Sequence, residues 1–251
     1  MKTNKLFNVL LIFALLQTVL IFKVAAQKVD TLDYENGTKI STTAIWNVGK
    51  DYHAETWFGN IEGTASLATY RNKSFQIDWD LTVYGFLHEV GLYNLNVPVD
   101  SVNPKAKSKY KHKYSNITGS GGHTGLYGWF GDAGTPESIE LYINENWVGD
   151  ESIDMSSCIK KGTITVDGAT YDIYTRPRKG DKFAQWWSNR TSPRTKGTIS
   201  YAKHFQEWRK LGLPEINLTR LTYAFECTWG SPTGGSLKYS YFQIDKPLLL
   251  K

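Results

Sequence analysis

From Thr56 onward the chain runs in short stretches whose apolar and polar residues alternate: "GTASLATY", "KSFQIDWDLTVYG", "HTGLYGWF", "IELYINENW", "GTITVDGATYDIYTR", "FAQWWSNR", "KGTISYAK", "RLTYAFECTW" and "LKYSYFQI". A period of two is the mark of a strand that buries one face. Glycines and Asp-Gly or Asn-Lys pairs separate the stretches at spacings suited to a meander or sandwich. One segment breaks the pattern. In "YAKHFQEWRKLGLP", Ala202, Phe205, Trp208 and Leu211 recur near every 3.6 residues, basic residues close the last turn, and Gly212 and Pro214 stop it. The expectation is one compact all-β domain with a single amphipathic helix on the outside of a sheet, without repeats or linkers.

Alternation also assigns faces. In "PESIELYINENW", Pro136–Trp147, Glu140, Tyr142 and Asn144 share one face and Leu141 and Ile143 the other. Glu137 falls in the turn before the strand, and Glu145 at its end with the opposite parity, so both read as solvated or structural. In "LTRLTYAFECTWG" a large apolar face of Leu221, Tyr223 and Phe225 separates from a small polar one of Thr222, Ala224, Glu226 and Thr228. The same test groups Tyr127 with Trp129, and Phe183 with Gln185 and Trp187. Four strands can thus turn aromatic and polar groups to one surface bearing Glu140 and Glu226. Cleaving a glycosidic bond with retention needs two such carboxyl groups from different strands, one ionised and one protonated. Parity alone leaves open that both are merely solvated.

"PKAKSKYKHKY" sets Lys105, Lys107, Lys109, Lys111 and Lys113 in strict alternation with Ala106, Ser108, Tyr110, His112 and Tyr114. A solvated edge strand guarded against aggregation by lysines accounts for this. A row that attracts an acidic, uronate-bearing polysaccharide accounts for it as well.

The first 26 residues, with Lys2 and Lys5, an apolar run from Leu6 to Phe22 and a Val-Ala-Ala ending, read as a secretory signal cleaved after Ala26. An uncleaved anchor is the rival reading, since the run is close to the shortest span. Cleavage leaves residues 27–251 as one secreted, extracellular domain. It also removes three lysines, so the formal charge falls from +5 to +2, which makes no case for nucleic acid. No later segment is apolar for long enough to cross a membrane, and a monomer is expected. Nine Trp and fifteen Tyr suit both sheet packing and stacking on sugar rings. Cys158 and Cys227 are candidates for a disulfide in an oxidising compartment, with no requirement that they pair. Asn36, Asn72, Asn116, Asn189 and Asn217 begin Asn-x-Ser/Thr sites that matter only in a eukaryotic secretory pathway.

"YGW", "ESIELYINENW", "GTITVDGATYDIY", "FAQWWSNR", "GTISYAKHFQEWRKLGL" and "TYAFE" follow one another in the order and approximate spacing of glycoside hydrolase family 11, the endo-β-1,4-xylanases, which the chain resembles from about Trp57 to Phe242. The resemblance implies a β-jelly roll, a sandwich of two curled antiparallel sheets with one helix, around a long cleft. It implies a retaining hydrolase of xylan or a related plant cell-wall β-1,4-glycan that needs no metal or organic cofactor. Glu140 matches the nucleophile and Glu226 the acid/base. Tyr127 and Tyr142 match tyrosines that touch nucleophile and substrate, Gln185 the cleft glutamine and Arg178 an active-site arginine. Trp57 matches the tryptophan on which a xylose ring stacks, and Trp129 lines the same cleft.

Departures accompany the match. Only "TRPRKGDK" fills the place of the family's long thumb hairpin, "YGWFGDAGTPESIE" carries about four extra residues, and "CTWGSPTGG" replaces the usual segment after the acid/base. "DLTVYGFLHEVGLY" blurs the Asp or Asn that tunes the acid. A weak or inactive xylan-binding protein on the same fold, and a glucanase-type specificity, are the alternatives.

Overall fold

A computed structural model describes residues 38–59, 61–70, 74–83, 85–149, 153–180, 182–227 and 232–247. The signal segment, Asn36, Asn72 and Thr228 lie outside these residues. The strands are β1 (Thr38–Ile40), β2 (Ala44–Val48), β3 (Tyr52–Phe58), β4 (Glu62–Thr69), β5 (Phe75–Val83), β6 (Phe86–Leu92), β7 (Val97–Pro98), β8 (Ser108–Thr118), β9 (His123–Phe130), β10 (Ile139–Trp147), β11 (Ile159–Val166), β12 (Ala169–Arg176), β13 (Ala184–Arg190), β14 (Lys196–Ile199), β15 (Asn217–Cys227) and β16 (Thr233–Ile244). The helix α1 spans Tyr201–Lys210.

Two sheets form a jelly-roll sandwich. The smaller runs β1-β4-β5-β16-β8-β14. The larger runs β11-β12-β13-β10-β9-β15-β6-β3-β2, with β7 on β15. Pairing is antiparallel except between β10 and β13, which run parallel. After β10 the chain crosses to the outer strand β11 and folds back through β12 and β13, which returns β13 to β10 in the same direction. Asp167 and Gly168 make the β11–β12 turn with φ of 53° and 74°, the two positive angles that favour Asp-Gly in tight hairpins. The Asp167 carboxylate then accepts from Ser200 N at 2.8 Å and Ser200 Oγ at 2.9 Å, tying this turn to the start of α1.

The core fills the space between the sheets with aromatic rings. Phe75 stacks on Tyr239 at 4.5 Å, Tyr52 on Phe242 at 5.2 Å, and Trp79 meets Phe225 at 4.5 Å. The smaller sheet covers only part of this face, and α1 covers more of it. Phe205 packs edge-on against Phe130, and Trp208 Nε1 donates to Ser188 Oγ at 2.9 Å.

One expectation changes, and two readings left open are resolved. β8 is no edge strand: it lies between β16 and the short β14. Its alternation holds, with Ser108, Tyr110 and His112 buried and Lys109, Lys111 and Lys113 exposed. Cys158 and Cys227 are free thiols; Cys227 is buried with its Sγ 3.6 Å from Gly121 O. Glu145 is not solvated.

A register shift between Asn144 and Asn146 brings Asn146 to the core side, 3.0 Å from His112 Nε2, while Glu145 enters the core with the parity of Leu141 and Ile143 and is fully buried. Glu145 accepts from Tyr110 Oη at 2.7 Å and Tyr171 Oη at 2.6 Å, and from Arg194 Nε, with Arg190 Nη1 at 4.0 Å. The carboxylate joins both sheets and the segment before β14. Glu145→Ala removes one partner of a buried pair and is expected to cost about 3–5 kcal/mol, read as a lowered urea midpoint with an unchanged m-value.

Candidate active site

The face of the larger sheet opposite the core is also lined by side chains. Leu87, Tyr127, Trp129, Tyr142, Ile153, Trp187 and Ala224 form a buried cluster of their own, against which Trp147, Met155, Tyr174 and Phe183 pack. Strand register sets this face out in rows. Gln185, Glu140, Trp129 and Arg220 are neighbours across β13, β10, β9 and β15, and Trp187, Tyr142, Tyr127 and Thr222 form the next row. Gly125 and Ala224 follow. His123, Glu226, Leu87 and Trp57 form the last, running on through β6 and β3. The small residues matter: a Cβ on Gly125 would lie 2.1 Å from Ile143 O. A small recess beside Glu226 is lined by His123, Gly125, Tyr127, Tyr142, Ala224 and Glu226.

The two glutamates have different surroundings. Glu140 is 6 % exposed and accepts from Tyr127 Oη at 2.8 Å and Gln185 Nε2 at 2.6 Å. Trp129 Nε1 donates in turn to Tyr127 Oη at 2.9 Å. Burial raises the Glu140 carboxyl above its usual range, while hydrogen bonds from Gln185, Tyr127 and Tyr142 pull it down. The Glu226 side chain is 15 % exposed and lies 3.5 Å from His123 Nε2. Burial first, and the Glu140 charge second, push its carboxyl up to about 8. His123 brings no cation to it, because burial lowers the imidazole to about 3. Tyr142 interacts with both carboxyls through its hydroxyl, and its ring stacks flat on Trp187 at 3.7 Å. Glu140 thus ionises before Glu226, and each carboxyl makes the other's charge harder to form.

Of the residues singled out in the sequence, Glu140, Glu226, Tyr127, Trp129, Tyr142 and Gln185 come together on this face. Trp57 lies at its end, 46 % exposed, in line with Glu226 through Leu87. Arg178 does not join them: it pairs with exposed Glu137 at 3.5 Å and donates to Gly180 O. Arg176, opposite Gln185, is the arginine whose charge acts on both carboxyls, and it donates to Ser157 Oγ at 2.7 Å.

His123, Arg220, Glu89 and Glu55 of this face were not picked out from the sequence. His123 stands two residues before Gly125 and four before Tyr127, so parity could have found it. Arg220 continues the Thr222, Ala224, Glu226 series. Its Nη1 is 2.7 Å from Glu89 Oε1 and 2.8 Å from Glu55 Oε2, and its guanidinium lies 4.3 Å over the Tyr93 ring. Thr222 Oγ1 donates to Glu89 Oε2 at 2.7 Å. Burial raises Glu89 to about 7 against the pull of Arg220.

The sequence profile of Glycosyl hydrolases family 11 matches residues 50–237. An endo-1,4-beta-xylanase of Neocallimastix patriciarum is 30% identical over 207 residues, covering 79% of this chain and 59% of that protein. Endo-1,4-beta-xylanase A of Piromyces sp is 28% identical over 222 residues, covering 84% of this chain and 35% of that protein. The chain therefore spans under two thirds of the length of these relatives. Among solved structures, one mutant of ENZbleach xylanase superposes with a TM-score of 0.70 at 25% identity, covering 89% of this chain and 96% of the other. Another gives 0.68 at 27%, covering 82% and 86%.

The hydrogen bond from Gln185 favours the charged form of Glu140. Gln185→Ala is expected to raise the Glu140 pKa further, because it removes a hydrogen bond that favours the charged form. Carboxyl titration by carbon NMR reads the shift directly; an unmoved Glu140 would show that the bond carries no weight.

Proposed function

Since the chain belongs to glycosyl hydrolases family 11, we propose that it is a secreted endo-1,4-β-xylanase that cuts xylan with retention of anomeric configuration. The observation that carries this reading is the pair of glutamates whose environments separate their protonation. Burial and the Glu140 charge push Glu226 up to about 8, while the bonds from Tyr127 and Gln185 pull Glu140 down against its burial.

Glu140 attacks the anomeric carbon from below while Glu226 protonates the leaving oxygen, giving a glycosyl ester on Glu140 and a free chain end. Glu226, now a carboxylate, takes a proton from water, and that water opens the ester and returns both groups to their starting states. Retention requires carboxyl groups about 5–5.5 Å apart. The Tyr142 hydroxyl acts on both carboxyls, so the two groups face a common space. Tyr127 and Gln185 hold Glu140, and Trp129 holds Tyr127. Burial keeps both tyrosines well above the usual phenol range, so they remain donors.

Two polar atoms support a sugar as occupant. Gln185 Oε1 and Trp187 Nε1 are buried and make no hydrogen bond to the described residues, so a hydroxyl-bearing ligand would satisfy both. Trp57 offers an exposed ring at the end of the same face, suited to a sugar's apolar side.

Removal of the acid separates catalysis from mere binding. Glu226→Ala is expected to lower release of reducing ends from xylan by about 10²- to 10⁴-fold while xylan binding persists; equal release by mutant and wild type would overturn the assignment. A mechanism-based glycosyl inhibitor should be trapped on Glu140 and on no other residue, as peptide mass mapping would read.

The pH profile has a definite sign. Raising pH through about 8 strips the Glu226 proton, so kcat/KM should fall on that side. Lowering pH through the raised Glu140 pKa neutralises the nucleophile and should cut activity above the ordinary range for a carboxylate. Initial rates on xylo-oligosaccharides across pH check both limbs.

A further inference from the structure

Edge protection does not account for the lysines of β8, because β14 and β16 flank that strand. Lys109, Lys111 and Lys113 stand on the side of the smaller sheet turned away from the core, and register adds two more. Lys196 lies directly opposite Lys111, and Lys238 opposite Lys113. Like charges directly opposite in a sheet are destabilising, so the arrangement has a cost that solvation alone does not require. The lysine ion pairs among the described residues involve Lys160, Lys203, Lys210 and Lys246 instead. Carboxylates stand at the rim of this group: Asp78 on β5 accepts from Ser236 Oγ at 2.6 Å, and Asp245 after β16 accepts from Lys107 N at 3.3 Å. With spacings of about 5 Å across strands and about 7 Å along them, the five lysines form a field of positive charge whose members pair with no carboxylate among the salt bridges of the described residues. Tyr241, 45 % exposed and opposite Lys111, stands within it.

We infer that this field is a docking surface for a carboxylate-bearing polysaccharide, separate from the cleft. All five charges are compact ammonium groups, without the guanidinium fork that phosphate recognition favours, and spaced carboxylates along a chain suit such points. The Tyr241 ring supplies what a bare cation exchanger lacks, an apolar face for a sugar ring. Docking here holds the protein on an acidic glycan without occupying the cleft, which raises the effective concentration of nearby chain segments. Its strength falls with salt, as exposed charges do.

The test uses polygalacturonate, which carries carboxylates but no xylan backbone, in affinity electrophoresis of the protein and of a Lys109→Gln/Lys111→Gln/Lys113→Gln/Lys238→Gln variant. Wild type is expected to be retarded, less so as salt rises, and the variant to bind at least about tenfold more weakly, with xylo-oligosaccharide hydrolysis unchanged. The double variant Lys111→Gln/Lys238→Gln removes both like-charge oppositions and gives the same reading if the fourfold variant folds poorly. Equal retardation of wild type and variants, or equal retardation by the methyl-esterified polymer, overturns the proposal. So does binding to phosphatidylserine vesicles as tight as binding to the glycan. Retardation is read without xylan, so its failure and a failure of the cleft's proposed chemistry are separate results.

Discussion

Residues of β9, β10, β13 and β15 must satisfy two neighbours at once, because the larger sheet has no solvated face along these strands. One side meets the smaller sheet and α1; the other lines the cleft. A strand buried on both faces normally reads as a continuous apolar run. Here β10 keeps its alternation, with Leu141 and Ile143 on the core side and Glu140 and Tyr142 on the other, all of them buried. Burial on the cleft side is supplied by aromatic rings with polar tips, whose hydroxyls and indole N–H groups supply the bonds that a buried carboxylate demands. The chemistry of the cleft is therefore a consequence of how this sheet is closed on its second face.

The same constraint distinguishes three buried glutamates. Glu145, in the core, meets two tyrosine hydroxyls and a guanidinium. Glu89, in the cleft floor, shares Arg220 with Glu55. Glu226 meets a neutral imidazole, the Tyr142 hydroxyl and the field of Glu140. With no arginine or lysine bonded to it among the described residues, burial outweighs the distant Arg176 charge and raises this carboxyl to about 8. Two of the three are tied to an arginine, and the third is not, although their sequence surroundings look alike.

Faces were legible in the sequence because period two is a local property: Glu140 with Tyr142, Glu226 with Ala224, and Gln185 with Trp187 all fall as their spacing demands. The helix was legible for the same reason, through Ala202, Phe205 and Trp208. Register was not, since it depends on which strands pair. That is why β8 read as an edge, why a solvated Glu145 could not be told from one bonded in the core, and why Arg178 was chosen where Arg176 stands opposite Gln185. Glu55, Glu89 and Arg220 come from three strands far apart in sequence, and no local pattern joins them.

The connection at residues 177–183 bears on how the cleft can hold its substrate. Where the family pattern has a long hairpin, β12 turns into β13 through a tight bend in which Lys182 N donates to Lys179 O at 3.2 Å. Phe183 at its end packs edge-on against Trp129 at 4.7 Å, so this short segment braces the row of Glu140 instead of arching over it. The work of removing Glu140 and Glu226 from water is then shared. The stacked Tyr142 and Trp187 and the rings around them are fixed in the sheet, whereas Ile153 and Met155, which pack on the same cluster, belong to the segment after β10. Part of the desolvation that raises the carboxyls therefore comes from outside the sheet, so a change in that segment reaches the carboxyls without touching a strand.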